Sequence, residues 1–150
     1  MASVEKFKLK GNSFLLLLTL LLFDCKDPVV VVDPISILKD AQLVKLSKTW
    51  KITTATLNNT PQTYTGFQLV ITSTTGQTTF GYNTTGRPAL SPWLSSGTFT
   101  YGGTDFMTIL VREDGLPITY SVSDTQLQMT FNYIGSGIPG VVQWVFTFGL

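Results

Sequence analysis

Acidic side chains are the first groups in this chain that could carry chemistry. Four of them stand in the second half of the sequence: Asp105, Glu113, Asp114 and Asp124. Hydrolysis of a glycosidic bond needs two carboxyl groups that flank the substrate, about 5 Å or more apart, across a cleft. Glu113 and Asp114 are instead neighbours at the tip of a predicted hairpin, and no spaced acidic loop of the calcium-binding kind follows them. We therefore expect neither carboxylate catalysis nor a metal site.

The sequence contains no histidine and a single cysteine, Cys25. The lack of histidine excludes histidine-based catalytic triads, histidine metal sites and histidine pH switches. One cysteine excludes an intrachain disulfide and any metal site built from several thiolates. Serine and threonine hydroxyls have no histidine to activate them, and no lysine dyad motif is evident. The sequence predicts a protein that is not an enzyme and needs no cofactor.

The charge balance excludes a further class of partner. Residues 25–150 carry seven basic and seven acidic side chains, out of ten and nine in the whole chain. A neutral domain lacks the basic surface that nucleic acid requires, and it has no polybasic patch for anionic lipid. With 43% hydrophobic and only 13% charged residues, the composition is that of a folded domain. We expect no nucleic-acid partner.

The first 24 residues have the pattern of an export signal. Lys6, Lys8 and Lys10 precede a run of mainly apolar residues over 14–23. A helix that crosses a bilayer needs about 20 apolar residues, so this run is too short to span. A basic segment followed by a short apolar run is typical of a secretory signal peptide, here assigned to residues 1–24.

Cys25 follows the apolar run directly, with Phe23 and Asp24 where a secretory cleavage site has small residues. This arrangement resembles the type II signal of bacterial lipoproteins. The resemblance implies that Cys25 becomes the first residue of the mature chain and carries fatty-acyl chains of the palmitate type. It also implies that the protein is attached to a membrane of the cell envelope, expected to be the outer membrane. The resemblance is compatible with either the periplasmic or the surface face of that membrane.

Residues 25–35 are predicted to be a tether that joins the anchor to the folded domain. Four valines stand between two prolines over 28–34, and proline biases its neighbourhood toward extended conformations. Ser36 then begins a predicted helix, as the cap of Ile37–Leu46. The helix is too short to be stable alone and must pack on the residues that come after it in the chain. The predicted packing stripe consists of Leu38, Ala41 and Lys45.

From Thr49 onward, apolar and polar residues alternate with period two. Side chains of a strand point alternately to opposite faces, so each segment has one apolar and one hydroxyl- or amide-rich face. Turn signals such as Asn58-Asn59 and Asp114-Gly115 separate the segments. The predicted strands are 49–53, 67–72, 79–82, 97–101, 106–112, 118–123, 127–133 and 142–148.

Eight short strands with short connections predict an all-β domain over 36–150, built as a small antiparallel meander barrel. A two-sheet β-sandwich is the alternative. A membrane-spanning barrel would turn its apolar face outward and fill its inside with polar groups, and the few charges favour an apolar inside instead. Arg112 is assigned to the outer face. The predicted interior residues are Trp50, Phe67, Leu69, Met107, Ile109, Tyr120, Phe131, Trp144 and Phe146.

Several segments resemble lipocalin-like lipoproteins of the Bacteroidetes type, a family largely of unknown function. The likeness covers about residues 46–150, and Lys48 stands where the lipocalin signature prefers glycine. The resemblance implies a barrel and a membrane-anchored address, but no particular ligand. The segments that carry it are Leu46-Ser-Lys-Thr-Trp50, Ser91-Pro-Trp-Leu-Ser-Ser-Gly97, Arg112-Glu-Asp-Gly115, Leu127-Gln-Met-Thr-Phe131 and Gly140-Val-Val-Gln-Trp144.

Trp93 lies in the proline-containing loop Thr84–Ser96, outside the alternating pattern, with Tyr82 and Arg87 nearby in sequence. These three residues are the predicted ligand-binding residues, since a loop tryptophan can stack on a sugar or close a barrel mouth. Alternatively, the loop folds back and plugs the barrel end. The first hypothesis is a module in which the barrel interior or the Trp93 loop binds a small apolar ligand or a glycan, and it predicts an interior that its own side chains do not completely fill. The second is a non-catalytic structural lipoprotein with an exposed apolar patch that contacts an envelope protein.

Overall fold

The computed structural model of the chain describes residues 33–134 and 140–150. The predicted signal peptide, Cys25 and the valine run lie outside these residues, as does the predicted turn at 135–137. The described part contains one α-helix, one short 3-10 helix (Gly103–Asp105) and nine strands. They are α1 Pro34–Leu46, β1 Thr49–Leu57, β2 Thr60–Gln62, β3 Gln68–Thr72, β4 Thr79–Thr85, β5 Ser96–Tyr101, β6 Ile109–Arg112, β7 Pro117–Val122, β8 Gln126–Tyr133 and β9 Val142–Gly149.

Helix α1 begins two residues before the predicted cap. Asp33 is the N-cap, and its side chain accepts a hydrogen bond from the Ile35 N–H at 3.1 Å. Pro34 follows in the first helical turn, where its missing N–H costs nothing and its fixed φ suits the helix. The predicted stripe of Leu38, Ala41 and Lys45 is also wrong, because the residues that α1 buries are Gln42, Leu43 and Leu46.

The strands form one antiparallel sheet that closes on itself. From β3 to β9, each strand pairs with the next along the chain, and β9 pairs back with β1 between Lys51↔Gly149 and Leu57↔Trp144. The closed sheet confirms the predicted meander barrel rather than the two-sheet sandwich. Closure provides hydrogen-bond partners for the backbone N–H and C=O groups that the edge strands of an open sheet would leave unpaired.

Strand β2 is the one strand of the described part that the sequence pattern did not predict. Asn58 and Asn59 both have positive φ, 47° and 65°, as a two-residue hairpin turn between β1 and β2 requires. Strands β2 and β3 pair with the same edge of β1, at its C-terminal and N-terminal parts. They are therefore two pieces of one barrel strand, with an interruption over residues 63–67.

The barrel interior is filled with apolar and aromatic side chains, and the predicted inward face of β6 needs correction. Met107 is 45% exposed and Ile109 is only partly buried, whereas Leu110 and Arg112 point inward. Ile109, Leu110 and Val111 are consecutive apolar residues, so alternation alone fits either face. Arg112 lies on the inward face, where its guanidinium donates to the carbonyl of buried Pro92 and pairs with Asp114 of the following turn. The other predicted interior residues are buried: Trp50, Phe67, Leu69, Tyr120, Phe131, Trp144 and Phe146.

The two ends of the barrel differ. At the helix end, α1 covers the start of β1, and the Trp50 indole N–H donates to the Leu46 carbonyl at 2.9 Å. The Tyr101 hydroxyl, at the end of β5, donates to the Lys39 carbonyl at 2.9 Å and ties α1 to the barrel. We call the opposite end, where β1, β4, β6 and β8 finish, the loop end. In the described ranges, no helix is long and apolar enough to cross a membrane.

Candidate functional site

A loop tryptophan occupies the centre of the barrel. Trp93 belongs to the loop 86–95, between β4 and β5, yet it is only 1% exposed. Its ring centroid lies 4.9 Å from that of Phe131 and 5.8 Å from that of Tyr82. The loop therefore plugs the barrel, which is one of the two arrangements that the sequence predicted for Trp93. Four further aromatic rings surround the indole with centroids 5.9 to 6.5 Å away: Phe67, Phe99, Phe146 and Phe148.

Two arginines hold this plug by its backbone. Arg87 Nη1 donates to the carbonyl of Trp93 at 2.9 Å, and Arg112 Nη1 donates to the carbonyl of Pro92. Loop carbonyls that no strand pairs with would otherwise lose hydrogen bonds on burial. The two guanidinium groups therefore satisfy the backbone at the point where the chain turns into the barrel.

Arg112 is 3% exposed, and an isolated charge at such a position would be costly. Asp114 neutralises it through a two-pronged ion pair, Nε–Oδ1 2.9 Å and Nη2–Oδ2 2.6 Å. Burial disfavours the charged guanidinium, but the hydrogen bonds and charge of Asp114 outweigh that effect and raise the pKa of Arg112. The same hydrogen bonds lower the pKa of Asp114 below its usual value. The pair thus stays ionised and keeps Arg112 turned toward the plug.

The three predicted ligand-binding residues are brought together in the structure, but in different environments. Tyr82 and Trp93 are buried and pack edge to face, whereas Arg87 is exposed and binds the Trp93 carbonyl. Burial raises the pKa of Tyr82. Within the described residues, neither the Tyr82 hydroxyl nor the Trp93 indole N–H has a hydrogen-bond partner. In this arrangement Tyr82 and Trp93 contact one another and the core, and ligand binding by these residues stays a prediction.

The four acids lie at opposite ends of the barrel. Glu113 and Asp114 follow β6 at the loop end, while Asp105 and Asp124 lie in connections at the helix end. The Glu113 carboxylate accepts a hydrogen bond from the Thr98 N–H at 3.2 Å, and Asp114 is bound to Arg112. Across residues 33–134 and 140–150, no group of three or more His, Cys, Asp or Glu side chains could hold a metal ion.

An open cleft of about 360 Å³ lies beside the plug at the loop end. Trp144 forms one wall and is itself 3% exposed, with the Tyr64 ring 6.2 Å from it, centroid to centroid. Leu90, on the rim, is 86% exposed. Gln62 contributes an amide to an otherwise mainly apolar lining. The lining residues are Leu57, Gln62, Tyr64, Pro88, Ala89, Leu90 and Trp144.

The cleft forms because the plug loop meets the interruption between β2 and β3. Gly86 has a φ of +63°, and a Cβ placed on it would lie 2.6 Å from the Gly66 carbonyl oxygen. Only glycine allows both the positive φ and this close approach of two backbones. The contact places the rim residues Pro88–Leu90 opposite Gln62 and Tyr64, with the cleft between them.

The sequence pattern missed the residues that line the cleft. Trp144 was assigned to the core, which is correct for most of its ring, and Tyr64 lies in a threonine-rich stretch without alternation. Leu90 carried a usable signal, because an apolar residue in a loop of Gly, Pro and Ser is a candidate for contact with a partner. The predicted Arg87 and Trp93 flank the rim segment and hold it, so the loop was identified but not its lining residues.

Replacement of Trp93 tests the role of the plug. We expect Trp93→Ala to lower the free energy of unfolding by about 3–5 kcal/mol, because it removes the largest side chain at the barrel centre and leaves a cavity. Tyr82→Phe is the matched control and should lower it by no more than about 1.5 kcal/mol, because it removes a single hydroxyl and leaves the aromatic packing in place. Urea unfolding followed by circular dichroism measures both. An equal decrease in the free energy of unfolding in the two variants would contradict the role of Trp93 as the plug.

The ion pair makes a prediction about pH. Because the pKa of Asp114 is lowered in the fold, its contribution to stability is complete above the ordinary carboxyl pKa of 3.8 and is lost as the pH falls through the lower, folded value. We expect Asp114→Asn to cost about 1–3 kcal/mol at pH 7 by leaving buried Arg112 without its anion. The difference in the free energy of unfolding between this variant and the unmodified protein should become smaller below pH 4. The exposed Asp124→Asn variant is the control, and an equal, pH-independent loss in both variants would refute the prediction.

Comparisons of the chain with protein-family models, with curated proteins and with solved structures gave no match. The resemblance to lipocalin-like lipoproteins therefore stays a prediction, and the conclusions on the site depend on the geometry given above.

Proposed function

We propose that this protein is a lipid-anchored protein of the cell envelope whose barrel domain binds a small, largely apolar ligand. The binding site is the cleft at the loop end, and the anchor is Cys25. The observation that carries the ligand proposal is an open concavity of about 360 Å³ whose walls are aliphatic and aromatic. Sites for small molecules are concave, mainly apolar and about 300–1,000 Å³ in volume.

The chemistry of the lining favours an apolar ligand over a glycan. A sugar presents hydroxyl groups that need several hydrogen-bonding partners, and the cleft has only the Gln62 amide, the Tyr64 hydroxyl and the Trp144 indole N–H among its side chains. Trp144 is 3% exposed, so its face is not free for a sugar ring to stack on. An apolar molecule with one polar group matches this lining, and its polar group would lie at Gln62.

The anchoring proposal depends on the sequence alone. A basic segment, a short apolar run and Cys25 follow one another in the order of a lipoprotein signal. The covalent lipid would hold the domain at a membrane of the cell envelope, expected to be the outer membrane. Cys25 lies outside the described residues, so its modification needs a direct chemical measurement.

A protein-interaction role is the second candidate, and exposed apolar side chains at the loop end favour it. Leu94, in the plug loop, is 39% exposed, whereas Ile134, directly after β8, is 74% exposed and Val141, directly before β9, is 63% exposed. Large exposed apolar residues of this kind are common in contact surfaces. Under this proposal the lipoprotein is structural, without a ligand, and its partner is another envelope protein.

The ligand proposal is tested with a neutral fluorescent apolar probe, N-phenyl-1-naphthylamine, titrated into the protein. We expect saturable binding that Leu90→Asp weakens at least about tenfold in Kd, because a charge at the rim opposes burial of an apolar molecule. Leu94→Asp is the matched control: it lies in the same loop, receives the same charge, and does not line the cleft. Its Kd should stay within a factor of about two.

Two results would contradict the ligand proposal. One is the absence of saturable binding, and the other is an equal loss of binding in the Leu90 and Leu94 variants. A binding protein that holds its natural ligand would also carry a non-covalent adduct in native mass spectra of material extracted gently from its own membranes. Probe binding without selectivity, together with no adduct, would support the protein-interaction role.

The anchoring proposal is tested by the intact mass of the full-length chain produced in a bacterium with its own first 24 residues. We expect a mature chain that begins at Cys25 and carries fatty-acyl mass. Cys25→Ala should block both the cleavage and the mass increase, because the acylated cysteine is the signal for processing. An unprocessed chain, or cleavage without acyl mass, would refute the anchor.

A further inference from the structure

Helix α1 has apolar side chains on both of its faces. One face packs on the barrel through Leu43 and Leu46, which are buried. A helix at a protein surface ordinarily turns polar residues to the solvent, and one that is apolar all round is ordinarily covered. The opposite face of α1 instead carries large aliphatic residues, and each of them is at least half exposed. The outward residues and their exposed fractions are Ile37 (55%), Leu38 (50%) and Val44 (63%), with exposed Ala41 between them.

We define the outward ridge as Ile37, Leu38, Ala41 and Val44, and two of the three charged residues of α1 contact groups away from it. The Asp40 carboxylate accepts a hydrogen bond from the Gly76 N–H at 2.7 Å and so faces the β3–β4 turn. The Lys39 ammonium lies 6.0 Å from the Tyr101 ring centroid, over the barrel end. The ridge is therefore apolar, with Lys45 as its cationic neighbour on the helix.

The ridge is also close in sequence to the proposed lipid anchor. Asp33, the cap of α1, stands eight residues after Cys25. Eight peptide units span at most about 28 Å when fully extended. A bilayer that holds the acyl chains of Cys25 therefore lies within reach of α1. The tether keeps α1 close to that bilayer and so raises its effective concentration at the lipid surface.

The size of the ridge favours a lipid surface over a second protein copy. A helix of 13 residues is about 20 Å long and about 10 Å wide, so one face offers only about 200 Å². A stable protein interface buries about 800 Å² on each partner. A short aliphatic ridge with a lysine beside it is instead suited to shallow insertion between lipid headgroups.

We infer that the outward ridge of α1 lies in the surface of the membrane to which Cys25 is anchored. The inference builds on the proposed lipid anchor and adds a second contact, which gives the barrel a definite orientation. Because α1 covers the helix end and the cleft opens at the loop end, the cleft points away from the membrane. An apolar ridge that lies in the lipid surface would bury apolar area in addition to the acyl chains and so strengthen the attachment.

The test places an environment-sensitive label on the ridge of the full-length, processed protein. Ala41→Cys receives a nitrobenzoxadiazole label, and Ala89→Cys, at the exposed rim of the cleft, is the matched control. Both proteins are reconstituted into phosphatidylethanolamine–phosphatidylglycerol vesicles, with and without nitroxide-bearing lipids. We expect nitroxide lipids to quench the label at position 41 at least about twofold, and to leave the label at position 89 unquenched, since inserted helices lie only about 5–10 Å deep.

A second pair of variants shows whether the ridge itself makes the contact. Adding Ile37→Glu and Val44→Glu to the Ala41→Cys protein should remove the quenching, while the protein still floats with the vesicles through its acyl chains. Adding Leu90→Glu instead should leave the quenching unchanged. These three side chains are exposed, so the substitutions do not disturb the core.

The outcomes separate the inference from the proposed anchor. An acylated Cys25 does not react with a thiol reagent, so each variant with one added cysteine takes up one label, whereas a free Cys25 would give two. One label, flotation with vesicles and no quenching at position 41 would overturn the ridge contact and leave the anchor intact. A blue-shifted but unquenched label would also overturn it, with residues 26–32 or a second copy covering the ridge. Two labels and no flotation would overturn the anchor and the inference together.

Discussion

The interior of a closed eight-stranded barrel has to be filled, and in this protein a loop supplies its central side chain. Alternate residues of every strand line the wall, and protein interiors reach the packing density of organic crystals only when no gap is left between them. Trp93 occupies the space that the wall residues leave, in contact with six aromatic rings. The loop that carries it must therefore bend into the loop end. The position of the cleft and the role of Arg112 both depend on that bend.

Arg112 connects the plug to the wall. A guanidinium that is 3% exposed would destabilise an apolar interior unless it were paired and hydrogen-bonded. Asp114 supplies the charge and the Pro92 carbonyl supplies the remaining acceptor, so one side chain joins the turn after β6 to the residue before Trp93. The inward direction of Arg112 also sets the face of its whole strand, since neighbouring positions alternate. A local polar network thus links the inward face of β6 to the position of the plug.

The two ends of the barrel present different surfaces because different segments close them. At the loop end, the interruption at 63–67 lets the plug loop approach the wall, and the cleft remains between them. At the helix end, α1 covers the core with Leu43 and Leu46 and turns a second apolar face outward. The chain that leads to the proposed anchor joins the described domain at Asp33, next to α1, whereas the cleft opens at the loop end. Binding and attachment would then not compete for the same surface.

Much of the fold was determined by the sequence alone. Period-two alternation identified eight strands, and Asn58-Asn59 and Asp114-Gly115 marked turns, because these signals come from residues that are adjacent in the chain. The lack of histidine, the single cysteine and the balanced charge limited the chemistry before any fold was known. The start of α1 was also readable, since Asp33-Pro34 is a favoured cap, but the prolines around the valine run were interpreted as a tether alone.

Only the tertiary structure decided the inward face of β6, the packing face of α1 and the lining of the cleft. Ile109, Leu110 and Val111 suit either face, and the choice depends on partners of Arg112 that lie far away or in the next turn. The cleft joins segments near residues 57–64, 88–90 and 144, and a single-sequence pattern contains no information on which distant segments meet. Such features arise from long-range packing, in which residues that are distant in the sequence bury their side chains against one another. For this reason, the sequence determined the type of barrel, and the three-dimensional contacts determined where it could bind.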